Sequence, residues 1–284
     1  MCVLICKYFK NIGWVGVKNR DRGYIPTVTF RHLDKNDNEK LVLWDEDTNY
    51  SEGINEHGIS VLSTSLMVKD DENEGRKKVQ ESPQNQSKDG PKIRKTLDGT
   101  TLEECLQIAI ETKVNGHTAI YNRDKLILLE SARDKNEEYD YKFKEIPITE
   151  TIARTNHGIW LKDAGYQRDP DNIKHYLSRI SSETRMLASK YVVDRAENPD
   201  EMMNGLICNF DKNEPQLNPM RIDDKKGHMF TTAQLMIIPK KKTLYYRPVR
   251  SHIDVDFSNI NAPDSKTWFE ILSPRLVWKF HKDD

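Results

Sequence analysis

Apolar residues crowd the start of the chain and then alternate with polar ones after a short break. Residues 2–9 read as a buried strand and residues 12–18 as a second. The turn at Asn11–Gly13 between them pairs the two as a hairpin. Leu41–Trp44 and Ile59–Leu66 read as further strands. Thr101 and Glu104 form a capping box, after which Leu102, Cys105, Leu106, Ala109 and Ile110 recur at helical spacing. His117–Tyr121 and Lys125–Glu130 give a second hairpin, and Ile152–Thr155 a short strand that ends in Asn156-His157-Gly158. A long helix is expected from Asp171 to about Tyr191, with Ile173, Tyr176, Leu177, Ile180 and Leu187 on roughly one side. Asn198-Pro199-Asp200-Glu201 starts another helix, with proline at the first helical position and acids in the first turn. Phe230–Ile238 and Thr243–Arg247 form a third hairpin, and the aromatic C-terminal stretch is expected to pack on the body.

Between Lys69 and Lys95 the pattern disappears. Lys, Asp, Glu, Gln and Ser dominate, which predicts an exposed, mobile loop. Strand and helix patterns resume in the same style after it, so it is read as a loop within one domain spanning 1–284. Strands, then helices, then strands predict a layered α+β fold.

Composition narrows the function classes. Of 284 residues, 36% are hydrophobic and 31% charged, enough for a core under a wet surface. The 44 basic and 45 acidic residues leave a formal charge of -1, which lacks the positive field a nucleic-acid or membrane-surface binder needs. No apolar run approaches the ~20 residues of a membrane span. The apolar start has no basic region before it, as a secretory signal would, so a cytoplasmic protein is expected. Cys2, Cys6, Cys105 and Cys208 lack metal-type spacing, so neither zinc nor any other metal or cofactor is expected, and a reducing compartment disfavours disulfides.

Cys2 carries the candidate chemistry. Removal of Met1 would leave a thiol and a free α-amine on one residue. That amine titrates near ~7.7–8.0, against ~10.4 for a lysine, so it can serve as a general base at neutral pH. It can take the thiol proton to form the attacking thiolate and later return a proton to the leaving nitrogen.

Further motifs follow Cys2 in a recognisable order: Lys18-Asn19-Arg20-Asp21, Gly53-Ile54-Asn55-Glu56-His57-Gly58-Ile59, Thr155-Asn156-His157-Gly158 and Ser181-Ser182-Glu183-Thr184-Arg185. With the late Thr231–Met236 strand and Thr243–Tyr246, the chain resembles the N-terminal-nucleophile hydrolases, in particular the choloylglycine hydrolase and penicillin V acylase families. It is also similar to the acyl-CoA:6-aminopenicillanic acid acyltransferases. The resemblance spans residues 2 to about 248 and implies a four-layer αββα sandwich, with two antiparallel sheets between helix layers.

It also implies roles. Cys2 is nucleophile and base, and Asp21 holds its amine. Asn55 and Asn156 donate to the tetrahedral oxyanion, a contribution of ~3 kcal/mol for one such donor. Arg185 reaches the nucleophile and lowers the thiol pKa. Lys18, Arg20, His57 and His157 line the substrate side. The family often has arginine where this chain has Lys18, which keeps the charge but loses the planar fork. The implied activity is hydrolysis of a linear carbon–nitrogen amide in a small molecule by a homo-oligomer. The alternatives are acyl transfer at the same site or an inactive structural module on the same fold.

Overall fold

In a computed structural model, the residues described are 2–35, 38–66, 89–133, 138–207, 213, 217–221, 229–255, 267–272 and 275–280. They form two large sheets. The first contains β1 (Val3–Phe9), β2 (Gly13–Arg22), β10 (Ile152–Arg154), β11 (Phe230–Ile238), β12 (Thr243–Pro248), β14 (Thr267–Leu272) and β15 (Arg275–Phe280), in the order β10-β1-β2-β11-β12-β15-β14. The second contains β3 (Thr27–Lys35), β4 (Asn38–Asp45), β5 (Tyr50–Asn55), β6 (Ser60–Thr64), β7 (Gly116–Tyr121), β8 (Leu126–Arg133), β9 (Tyr139–Glu145) and β13 (His252–Val255). Its order is β13-β3-β4-β5-β6-β7-β8-β9, antiparallel except where β13 runs parallel to β3.

The period-2 alternation of the strands builds the layers. Leu4 and Cys6 of β1, Leu235 and Ile237 of β11, Leu41 and Leu43 of β4 and Leu62 of β6 point into one core between the sheets. Val3, Ile5, Met236 and Ile238 point the other way, onto α3 (Ile173–Arg195) and α4 (Pro199–Gly205). Val42 and Val61 meet α1 (Asp89–Thr96) and α2 (Leu102–Glu111) on the opposite outer face. The order of layers is therefore helix, sheet, sheet, helix.

Local signals set the helix starts. The Thr101 hydroxyl accepts the Glu104 N–H at 3.1 Å, and Glu104 reaches back to the Thr100 N–H at 2.8 Å, one residue earlier than the usual capping box. Asn198 caps α4 by accepting from the Glu201 N–H at 2.9 Å, with Pro199 at the first helical position.

Three expectations change. The stretch 69–95 is not all loop, because Asp89–Thr96 is helical with Ile93 fully buried. Gly90 lets that helix press against β5: a Cβ there would stand 1.6 Å from the Asn49 carbonyl oxygen. Residues 67–88 lie outside the described residues, as does Cys208. On α3, Ile173, Leu177 and Leu187 are 65%, 57% and 62% exposed rather than packed inward. The helix buries His175, Ser181, Ser182, Arg185 and Ser189 instead, because it covers the polar end of the first sheet. Finally, β3, β9 and β13 add to the expected strands: their apolar alternation is short in β3 and β13 and rests on exposed aromatics in β9.

Candidate active site

Cys2 stands at the mouth of β1 on the same face as Leu4 and Cys6, between the two sheets. It is 6% exposed, whereas Cys6 is fully covered. The pleat of the neighbouring β2 sorts its polar residues. Lys18, Arg20 and Arg22 share the face of Cys2, while Asn19 and Asp21 turn towards the helices.

The inner face holds a buried ionic cluster. Lys18 Nζ donates to Glu52 Oε1 at 2.5 Å and to the Ser63 carbonyl at 2.5 Å, and lies 4.6 Å from the centre of the Tyr50 ring. Arg20 pairs with Glu52 at 3.4 Å and with Asp45 at 3.5 Å. Arg22 Nε donates to Asp45 at 3.1 Å, and its Nη1 lies 3.7 Å from Cys2 Sγ. Three cations thus face two carboxylates, and a thiolate on Cys2 balances the remaining positive charge. Burial pushes the Cys2 thiol pKa up, but Lys18, Arg22 and the terminal amine together outweigh it, so the net shift is downward. Burial drags the Lys18 pKa down, against the pull of Glu52 and Cys2. Asp45 is held below the ordinary carboxylate range: its burial is outweighed by Arg22 and Arg20.

The nitrogen of Cys2 is held separately. It donates to Asn156 Oδ1 at 2.8 Å. Asn156 in turn donates Nδ2 to the Ser65 carbonyl at 2.6 Å, and its backbone N–H donates to the Ser182 hydroxyl at 3.2 Å. Asn156 thus holds the Cys2 nitrogen, a role the resemblance gave to Asp21, and its Nδ2 carries a second N–H besides the one given to Ser65.

Other roles implied by the resemblance also change. The carboxylate of Asp21 does not hold the Cys2 nitrogen: Oδ2 pairs with Arg185 at 2.7 Å and Oδ1 accepts from Thr231 at 2.7 Å. Arg185 spends its remaining donors on the carbonyls of Asn218 and Pro219, so it ends on Asp21 rather than on the thiol. The Asp21–Arg185 pair lies on the helix side of β2, and only the backbone oxygen of Asp21 comes within 4.0 Å of Sγ. Asn55 closes the β5–β6 turn. Its Nδ2 donates to the carbonyls of Leu97 and Gly99 and its Oδ1 accepts from the Ile59 N–H, which leaves no donor for an oxyanion. His57 is exposed on that same turn.

His157 is buried behind Asn156, with Nδ1 2.8 Å from the Ser182 hydroxyl, and burial pulls its pKa down to about 4. It is a neutral support rather than a substrate contact. Lys18 and Arg20 are likewise buried among carboxylates and act as charges, not as a binding rim.

Arg22, Tyr50, Glu52 and Asp45 are functional neighbours that the motif reading missed. The signal for Arg22 was present: it continues the every-second-residue run of Lys18 and Arg20. Among the described residues, no group of three or more His, Cys, Asp and Glu could hold a metal ion, and no helix is long and apolar enough to cross a membrane.

No family model matches the chain, and none of the curated proteins matches it. Solved structures do. Penicillin V acylase from Agrobacterium tumefaciens is 11% identical over 88% of this chain and 83% of that one, with a TM-score of 0.45. A variant of conjugated bile acid hydrolase from Clostridium perfringens is 12% identical over 92% and 91% of the two chains, with a TM-score of 0.44. A second variant of that hydrolase gives 12%, 92%, 90% and 0.43.

Proposed function

We propose that this chain is a cysteine N-terminal-nucleophile amidohydrolase, acting in the cytoplasm on a linear carbon–nitrogen amide of a small molecule once Met1 has been removed. The observation that carries this reading is the two-sided hold on Cys2. Its nitrogen is fixed by Asn156 at 2.8 Å, and its sulfur faces Arg22 at 3.7 Å inside a cluster with one cation in excess. Position, orientation and charge all favour a thiolate beside its own amine.

In this reading the free α-amine takes the thiol proton and the sulfur attacks the amide carbonyl carbon. Arg22, the cation within reach of Sγ, faces the developing oxyanion. Collapse of the tetrahedral intermediate breaks the carbon–nitrogen bond, and the ammonium returns its proton to the leaving nitrogen. Water then attacks the thioester with the amine again as base, releasing the acid and restoring the thiol. Asn156 keeps the amine aimed throughout, and the Asp21–Arg185 pair braces the strand behind it.

The test is to map the N-terminus by peptide mass and to assay the same preparation against a panel of N-acyl amides. Chains that begin at Cys2 and release amine are expected. Retention of Met1 in essentially every molecule would block the amine as an amide and overturn the proposal. Partition of the acyl group between water and an added amine separates hydrolysis from acyl transfer.

A further inference from the structure

The outer edge of the second sheet points to a partner. β9 is its last strand, and among the described residues no strand pairs with its far side. All its residues but the first are exposed, including Tyr141 and Phe143, which are 40% and 53% accessible. A groove of about 620 Å³ runs beside it, bounded by Tyr141, Lys142, Phe143 and Lys144 of β9 and by Trp160 and Lys162. An extended, exposed edge is a template for another strand unless its side chains repel one.

The charges of β9 are sorted. One face carries Glu138, just before the strand, then Asp140, Lys142 and Lys144. The other carries Tyr139, Tyr141 and Phe143, with Glu145 at its end. Lys142 Nζ donates to the Trp160 carbonyl at 3.2 Å, and Tyr139 donates to the Val114 carbonyl at 3.0 Å. Lysines alone would blunt the edge. Acids at one end and lysines at the other make it complementary to itself, read backwards.

We infer that β9 is a docking edge for the β9 strand of a second copy of this chain, paired antiparallel about Tyr141. In that register Glu138 stands opposite Lys144 and Asp140 opposite Lys142, twice each by the two-fold axis. Tyr139 stands opposite Phe143, so an aromatic stripe runs across the seam on the other face. The registers on either side fail. Centring on Asp140 opposes it to itself, centring on Lys142 opposes that lysine to itself, and centring on Phe143 sets Lys142 against Lys144. Directly opposed pairs in antiparallel strands interact most strongly, and like charges there are unfavourable. The two second sheets then continue as one, which is an isologous contact. This assignment does not depend on the proposed chemistry at Cys2.

The experiment is sedimentation equilibrium of the full chain and of two charge variants, with circular dichroism to check folding. Lys142→Glu with Lys144→Glu makes the face uniformly acidic, and Glu138→Lys with Asp140→Lys makes it uniformly basic. The unsubstituted chain is expected at twice the chain mass and each variant alone at the monomer mass. An equimolar mixture of the two variants is expected to recover the dimer, because every cross-strand pair is then opposite in sign. Tyr141→Cys, oxidised in the otherwise unchanged chain, is expected to give a dimer linked at that position, since opposed Cα atoms about 4.5–5.5 Å apart suit a disulfide. A monomeric unsubstituted chain overturns the inference. So does a dimer that survives in both charge variants, or two folded monomeric variants that do not associate when mixed.

Discussion

Cys2 and Cys6 lie four residues apart on one strand, on one face, and both are buried, yet their thiols are pushed in opposite directions. Burial raises the Cys6 thiol, offset only in part by Arg154. At Cys2 the same burial is overcome by Lys18, Arg22 and the terminal amine together. The register of β2 explains the contrast. Opposite Cys6 stands Gly16, which has no side chain to bring a charge, whereas further along the same face come Lys18, Arg20 and Arg22. Burial alone makes an inert thiol. A buried, charge-balanced cluster makes a reactive one.

Removing the thiol itself tests the contrast most strongly. Cys2→Ala is expected to lower amide turnover by on the order of 10³-fold or more, while Cys6→Ala keeps turnover and costs about 1 kcal/mol of stability. Steady-state assays paired with urea unfolding read both effects.

Acid should weaken the Cys2 side next. His157, behind Asn156, has its folded pKa lowered to about 4 from 6.5. The unfolded chain therefore takes up this proton first as pH falls. Stability is unaffected above pH 6.5 and declines between 6.5 and 4, by on the order of 3 kcal/mol at most. The urea midpoint should follow that decline, and His157→Gln should make it shallower, with His117, whose pKa burial also lowers, supplying the rest.

Asn55→Ala sharpens the comparison from a distance. It removes one donor from each of the buried Leu97 and Gly99 carbonyls and the acceptor of the Ile59 N–H, and should cost about 1–3 kcal/mol, leaving the alkylation rates of both thiols unchanged. A loss of Cys2 labelling in this folded variant would return Asn55 to the site. The smallest expected effect is that of Arg22→Gln. Loss of the guanidinium 3.7 Å from Sγ should raise the Cys2 pKa and slow its alkylation at neutral pH by roughly tenfold, with Cys6 unaffected.

The sequence was most legible where burial imposes a period. Val3, Leu4, Ile5 and Cys6 alternate between two cores, and the β11–β12 hairpin behaves in the same way. It was least legible where strands are polar. β9 alternates aromatic and charged residues but is exposed along nearly its whole length, and β3 breaks its Val28–Phe30 alternation with Arg31 and His32, so neither carries the buried run that marks a strand. The apolar residues of α3 misled because the helix buries its serines and Arg185 against the polar end of a sheet. At the site, residue types were legible but facing was not. Asp21 and Arg185 do meet, but on the far side of β2 from the thiol, and Asn55 and Asn156 share a motif context while only Asn156 touches Cys2. Position along a strand decides which face a residue joins, and a motif string does not carry that parity.

The most direct measurement is the pH dependence of iodoacetamide alkylation of the native protein, resolved by peptide mass to each cysteine. The account predicts that Cys2 is alkylated with a half-point below the ordinary thiol value of 9.0, while Cys6 in the same molecules stays unmodified until the protein unfolds. Equal reactivity of the two thiols, or a Cys2 half-point at or above that value, would contradict it.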